Sequence, residues 1–600
     1  MKLLEQLNNT LYKLHKSYED YFWIYYMGDH SVEKKMNDAE KKRESFRANP
    51  KYLREVLEAL ETKGISKSDA EKLKLWKIFF ERYQVPESVT EIKNKIIDLE
   101  SKLHKDRSSQ KEGYFDPKTK KFVEASHHKM SAMVRTEADE SLRKACFEAL
   151  DESVLPHLDG YLELVSLRNQ YAKALGYEDF YAYKAQIEEG MTKEHIFKIF
   201  DDIYDKTKYG FEEIRKLEKS KPGLRKPWNF GYMMTGDFTK EEDPYFPFEE
   251  SMMRWGTSFA ALGIDFKDAE LTLDLLDRKG KYNNGFCHWP KLVRYEGKKR
   301  IPGSSNFTCN VVFGQVGTGF EGMNTLFHEG GHAAHFSNVT QTEVCVNHEY
   351  PPMSTAWAET QSMFIDAVLS SVEWRSRYAK TVDGKEYPFE LFERKVKQLH
   401  PLSPLGLMGI ISVCALEKRI YEEKNLTKEK LLSIAKSVFL KYTDRSEASI
   451  RLLNVPHLYA WGSSCSYHGY GLAEIALAQW REYFYKKYGY IVDNPKVGKE
   501  MEKVWKFGSS KTFAELVKIA TGKPLSSKAF ITSVTNTVDT KIKKAKMKIK
   551  KLQAIRMYTK KIDLKARIKL VHGKEKIADN RKSFEQMAHQ FKKYLLNLKK

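Results

Sequence analysis

The stretch TLFHEGGHAAHF, Thr325 to Phe336, constrains this chain more than any other. His328 and His332 are four residues apart, Glu329 follows the first histidine, and His335 follows the second by three. Residues four apart on an α-helix face the same way, one turn along the axis. Both imidazoles can then serve one ion. Two imidazoles and a carboxylate suit a tetrahedral zinc whose fourth position takes water. Glu329 lies alongside, where a carboxylate takes a proton from that water. HExxH alone has only three fixed positions, and unrelated helices contain it, so the rest of the chain has to supply a third ligand.

The pattern HExxHxxGxxH would need glycine at 335 and histidine at 338, but His335 and Asn338 stand there. His335 lies on a neighbouring helical face and reads as a hydrogen-bonding residue near the site. The acids downstream are Glu343, Glu349, Glu359 and Asp366. Glu343 and Glu349 fall in a loop-like stretch. Glu359 falls in TAWAETQSMFIDAVLSSVEW, apolar enough for a buried helix that could bring a rigid carboxylate to the first. Just before the motif, Gly317, Gly319 and Gly322 spell GxGxxG between a strand-like run and a helix. That helix is the one carrying HEGGH, and no repeated β-α-β pattern surrounds it. Flexible turns beside a site explain these glycines better than a dinucleotide.

The chain has 600 residues, 41% hydrophobic and 30% charged, which suits a soluble globular protein with a large core. Its N-terminus lacks the apolar core of a signal peptide, and no stretch approaches the roughly 20 apolar residues of a membrane span. Six dispersed cysteines without CxxC spacing point to reduced thiols and the cytoplasm. Residues 1–270 show helical periodicity, as in SDAEKLKLWKIFFERY and TKEHIFKIFDDIYDKT, with Ser68 and Thr192 as expected N-caps. Near 271 short β-prone runs appear, LTLDLLDRKG and NFTCNVVFGQV, before the pattern turns helical again from about 370 to 545.

With these segments in view, the sequence resembles the thimet oligopeptidase and oligoendopeptidase F family of zinc metallopeptidases. HEGGHAAH meets all five fixed positions of the family's HExGHxxH signature. LDLLDRKGKYNNGF, NFTCNVVF and KFGSSKTFAELVKIATGKPLS are similar to further family segments, so the likeness is clear from about 270 to 530. It implies Glu359, in AWAETQS, as third ligand of a single Zn2+ held with His328 and His332. It also implies that His457, Tyr467 and Tyr470, in PHLYAWGSSCSYHGYGLAE, contact the substrate carbonyl in the transition state, although WGSS departs from the family pattern. The implied fold is mainly α and bilobal, with a deep substrate channel and a small β-element beside the zinc helix. The implied activity is zinc-dependent endopeptidase cleavage of short unstructured peptides in the cytoplasm, with Glu329 as general base.

Three parts are expected: a helical part over 1–270, a catalytic part over 271–540 and a basic helical tail over 541–600. The net charge of +21 is concentrated in the tail, where 21 lysines and arginines face 4 acids. Ile542, Ile549, Leu552 and Ile555 recur there at near-helical spacing, as in an amphipathic helix docked on the body. The rival reading is a peptide- or nucleic-acid-binding protein on a peptidase fold, using the tail to reach RNA or an anionic surface.

Overall fold

The computed structural model describes residues 2–347 and 354–598. Helices dominate, among them α1 (Lys2–Tyr26), α2 (Glu87–Ser109), α3 (Leu158–Ala174), α4 (Thr318–Asn338), α5 (Thr355–Leu369), α6 (His468–Tyr488), α7 (Val538–Gln553) and α8 (Phe584–Leu598). The N-caps follow the sequence closely. Thr192 caps its helix as expected, but Ser66, not Ser68, caps the helix Lys67–Tyr83 by accepting the Asp69 N–H. Ser68 sits one residue inside that helix.

The β-prone runs form one five-stranded sheet. Its strands are β1 (Ala269–Leu276), β2 (Phe286–Lys291), β3 (Ser304–Val311), β4 (Ala566–His572) and β5 (Glu575–Asp579), in the order β2-β3-β1-β4-β5. β1 is central and parallel to both β3 and β4, while β2 and β5 are antiparallel edges.

Two large apolar cores make the two lobes. One gathers the sheet, α4, α5, α6 and α8 around Trp255, Phe307, Phe327 and Trp480. The other joins helices before residue 235 to helices between about 400 and 460, around Tyr161, Phe180, Leu416 and Leu431. A cavity of about 810 Å³ lies between them, walled by α1, α2, β2 and α4. The cores therefore cross the divisions read at 270 and 540, because distant stretches of chain share each apolar surface.

The tail differs from its expected form. α7 is the docked amphipathic helix, with Ile542, Ala545 and Leu552 buried, and Arg377 donates to the Leu552 and Ile555 carbonyls at 2.6 Å each. The segment then stops being helical. β4 alternates buried Ile568 and Leu570 with exposed Arg567 and Lys569, and pairs Leu271 with Ile568 and Leu273 with Leu570. α8 buries Phe584, Met587, Phe591 and Leu595. The basic residues are thus the outer face of a segment that completes the sheet.

One stretch, Phe389–Glu422, is long and apolar enough to cross a membrane by length and composition, which the sequence reading did not detect. It is broken by a turn at His400–Leu405 containing Pro401 and Pro404, and its second half lies in the second core.

Leu570→Ala is expected to destabilise the protein by about 2–5 kcal/mol, the cost of a cavity in a packed core. Lys569→Gln, on the outer face of the same strand, should stay within about 0.5 kcal/mol. Urea melts of both variants decide this. A silent Leu570→Ala would mean that the C-terminal strands are dispensable.

Candidate metal centre

The motif helix α4 begins at Gly317 in a left-handed conformation and runs to Asn338. The preceding glycines serve packing. A Cβ on Gly319 would lie 2.3 Å from the Phe246 carbonyl oxygen, and one on Gly322 would lie 2.1 Å from Val311 Cγ2. Neither position has room for a phosphate, which agrees with rejecting the dinucleotide reading.

Gly331, inside the motif, sets how close the next helix comes. A Cβ there would meet Ser362 Cα on α5 at 2.8 Å. Without one, α5 packs directly on α4 and brings Glu359 to the histidines. Glu359 Oε2 is 3.3 Å from His328 Nε2 and 3.6 Å from His332 Nε2. The three candidate ligand atoms lie within 4.8 Å of one another.

Asp366 Oδ2 lies 2.9 Å from His328 Nδ1. With the proton on Nδ1, that bond leaves Nε2 as a lone-pair donor facing Glu359. Asp366 is seven residues after Glu359, two turns on along the same face of α5. In the sequence Asp366 is one of several downstream acids, and its i, i+7 spacing from Glu359 is the signal for this role.

The charges are strongly coupled. Burial would lower the His328 pKa, but the Asp366 and Glu359 carboxylates outweigh it and raise it well above the ordinary imidazole value. Burial pushes Glu359 up, yet the two histidines hold it well below the usual carboxylate range. Burial lifts the Glu329 carboxyl to about 7 against the pull of His328 and His332. Glu329 faces the cavity across Gly285, where a Cβ would come within 3.2 Å of Oε1. The donor set, two imidazole nitrogens and a carboxylate oxygen with one imidazole oriented from behind, fits a zinc-type ion.

The remaining sequence candidates divide cleanly. His335 is fully buried and packs near Phe336 and Trp505, outside the ligand group. Glu343 accepts from Asn8 Nδ2 and Trp76 Nε1 at 2.7 and 2.8 Å, so it ties the N-terminal helices down. Glu349 lies outside the described residues. His457, Tyr467 and Tyr470 do meet on the cavity wall, with ring centroids 5.0–5.6 Å apart and His457 Nε2 3.1 Å from the Tyr470 hydroxyl. Burial lowers His457 to about 4 and raises Tyr467 to about 12. His457 is therefore neutral and Tyr467 stays protonated at pH 7.

Buried charges, invisible in the motif, hold the 457–467 loop. Arg168 on α3 donates to the Leu458 carbonyl at 2.7 Å, Ser464 Oγ at 2.8 Å and Glu100 at 2.8 Å. Glu100 accepts the Trp461 N–H at 2.9 Å, and Lys184 donates to the Trp461 carbonyl at 2.9 Å. Glu417 accepts the Cys465 N–H at 2.7 Å. The WGSS departure from the family pattern thus coincides with a loop pinned from several helices.

A model of peptidase family M3 matches residues 133–535. The chain belongs to this family. Family M3 membership makes it a metallopeptidase that acts on peptides. Among solved structures, PZ peptidase A with an inhibitor is similar at 16% identity and TM-score 0.59, covering 88% of this chain and 97% of that one. A chain assigned as an oligoendopeptidase F from Bacillus anthracis str. Ames is similar at 16% identity and TM-score 0.55, covering 88% and 96%. An M32 carboxypeptidase from Deinococcus radiodurans R1 is similar at 14% identity and TM-score 0.59, covering 91% and 99%. At these identities the likeness is one of fold. Comparison with curated proteins found no match.

Asp366→Ala is expected to weaken metal binding about 10- to 100-fold, as loss of an orienting carboxylate does elsewhere. Competition with a chromogenic chelator measures it; unchanged affinity would remove Asp366 from the site.

Proposed function

We propose that this M3-family protein is a zinc-dependent endopeptidase that cleaves internal bonds of short, unstructured peptides in the cavity between its lobes, and that it acts in the cytoplasm. The observation that carries the proposal is the convergence of His328, His332 and Glu359 in one wall of a cavity that also presents Glu329, His457, Tyr467 and Tyr470. The location rests on the six dispersed cysteines, all free.

His328, His332 and Glu359 would hold the ion, which when bound supplies Lewis acidity to water and to the scissile carbonyl. Glu329 takes a proton from the water as its oxygen bonds to the carbonyl carbon. The negative charge developing on the carbonyl oxygen is met by hydrogen bonds from the tyrosine loop. With its proton on Nε2, neutral His457 donates to the Tyr470 oxygen and leaves the Tyr470 hydroxyl to donate to substrate. Tyr467, the residue just before α6, offers a second hydroxyl three residues ahead of Tyr470. As the C–N bond breaks, Glu329 delivers its proton to the leaving nitrogen.

Glu329→Gln is expected to keep zinc while losing nearly all peptide hydrolysis, and Glu359→Ala to lose zinc on dialysis. Mass-spectrometric digestion of a short-peptide mixture, with phenanthroline and zinc add-back, and metal analysis of each protein check both. Normal turnover by zinc-loaded Glu329→Gln would overturn the assignment. Product ends also separate internal cleavage from stepwise trimming of the C-terminus.

Tyr470→Phe should lower kcat by about 10²–10³ with little change in KM, the loss of one donor that acts mainly in the transition state. Steady-state kinetics on a quenched peptide would show otherwise if KM alone rose.

A further inference from the structure

The cavity wall on α2 carries a surplus of positive charge. The carboxylates that act most strongly on Lys93 are Glu44, Glu100 and Glu40. Each is already committed to an arginine: Glu44 to Arg47 at 2.5 Å, Glu100 to Arg168 at 2.8 Å and Glu40 to Arg43 at 2.7 Å. Lys184, the nearby cation, is paired with Glu188. Lys93 is 6% exposed, lines the cavity, and has its amine 2.9 Å from the centroid of the Trp461 ring. Among the described residues no carboxylate pairs with it.

Burying a cation without a counter-charge is costly, because a ring face replaces only part of its lost hydration. Burial indeed lowers the Lys93 amine to about 7, with Glu44 the strongest opposing influence. A buried amine with no carboxylate paired to it among the described residues, facing a substrate-sized cavity, is matched when a ligand brings the negative charge.

Building on the endopeptidase reading, we infer that Lys93 forms a carboxylate-binding subsite of the cavity, taking the C-terminal carboxylate of a peptide or an acidic side chain. Trp461 ties this subsite to the chemistry. Its ring packs against Tyr171, Phe180 and Tyr183, with centroids 4.9, 5.1 and 6.1 Å away. Its backbone is fixed by Glu100 and Lys184, and it lies four residues after His457 in the same pinned loop. A carboxylate seated on Lys93 is therefore held in a constant relation to His457 and Tyr467. The position of the cleaved bond is then set by distance from that carboxylate.

The test is calorimetric peptide binding to the full-length, zinc-loaded Glu329→Gln protein, in which turnover does not interfere. Three forms of one octapeptide are compared: free acid, C-terminal amide, and the amide with one internal glutamate; the parent sequence has no acidic side chain. At least one carboxylate-bearing form is expected to bind about 10- to 100-fold more tightly than the plain amide, the usual gain from a charge-assisted hydrogen bond. The form that gains identifies the carboxylate as terminal or side-chain. Lys93→Met should abolish the preference and Lys93→Arg should retain it. Equal binding of all three forms to the protein with Lys93 intact overturns the inference, whether or not Lys93→Met folds. A preference that survives in Lys93→Met overturns it as well. Binding is read without hydrolysis, so an absence of peptide cleavage in the wild type would count against the endopeptidase reading alone.

Discussion

The contact of α4 with α5 at Gly331 is the constraint on which the site depends. Ser362 Cα lies 2.8 Å from where a Cβ of residue 331 would be, so any larger side chain would push the two helices apart. The separation matters because Glu359, a candidate ligand on a rigid helix, lies 3.3–3.6 Å from both imidazoles. A helix displaced by the width of a methyl group would leave the carboxylate out of reach. The N-terminus of α5 is secured in turn: Ser354 donates to Glu189, and Glu189 accepts the Ala356 N–H at 3.1 Å. Burial raises the Glu189 carboxyl to about 7 despite these bonds, so this anchor bears a desolvation cost.

The same economy governs the oxyanion side. His457 and Tyr467 lie in and beside a loop with little regular structure, and Tyr470 lies in the first turn of α6. The loop backbone is satisfied by side chains from four separate stretches, Glu100, Arg168, Lys184 and Glu417, and Glu188 accepts from the Ser466 hydroxyl. Removing one member of such a network would leave another buried charge unmatched, which costs more than the lost bond itself. The 457–467 loop is thus positioned largely by buried charges, and the candidate metal ligands by helix packing. Both groups face one cavity because the lobes share the wall made by α1, α2 and β2.

The metal triad was readable because its signals are local. His328, Glu329 and His332 are fixed by helical spacing, and Glu359 by the family pattern around it. The fold class was readable from periodicity, and the β-prone runs near 271 and 304 became β1 and β3. The basic tail misled because its charge was counted before its alternation. Ile568 and Leu570 already mark a strand face, but the surrounding lysines looked like a solvated helix. Lys93, Arg168 and Lys184 carried no signal at all, since a lysine in a helix usually faces water.

The amino-acid sequence by itself determined which residues are candidates for the chemistry: the helix pair of histidines, the adjacent glutamate, and the spacing of the downstream acid and aromatics. Those are properties of residue type and of the helical repeat, which act over a turn or two of chain. Only the tertiary structure decided which charges are matched and which are not. Arg168 is neutralised by Glu100 across 68 residues of chain, while no carboxylate among the described residues pairs with Lys93. Pairing depends on where folding brings side chains together in a medium of low dielectric, and no pattern along the chain encodes that distance.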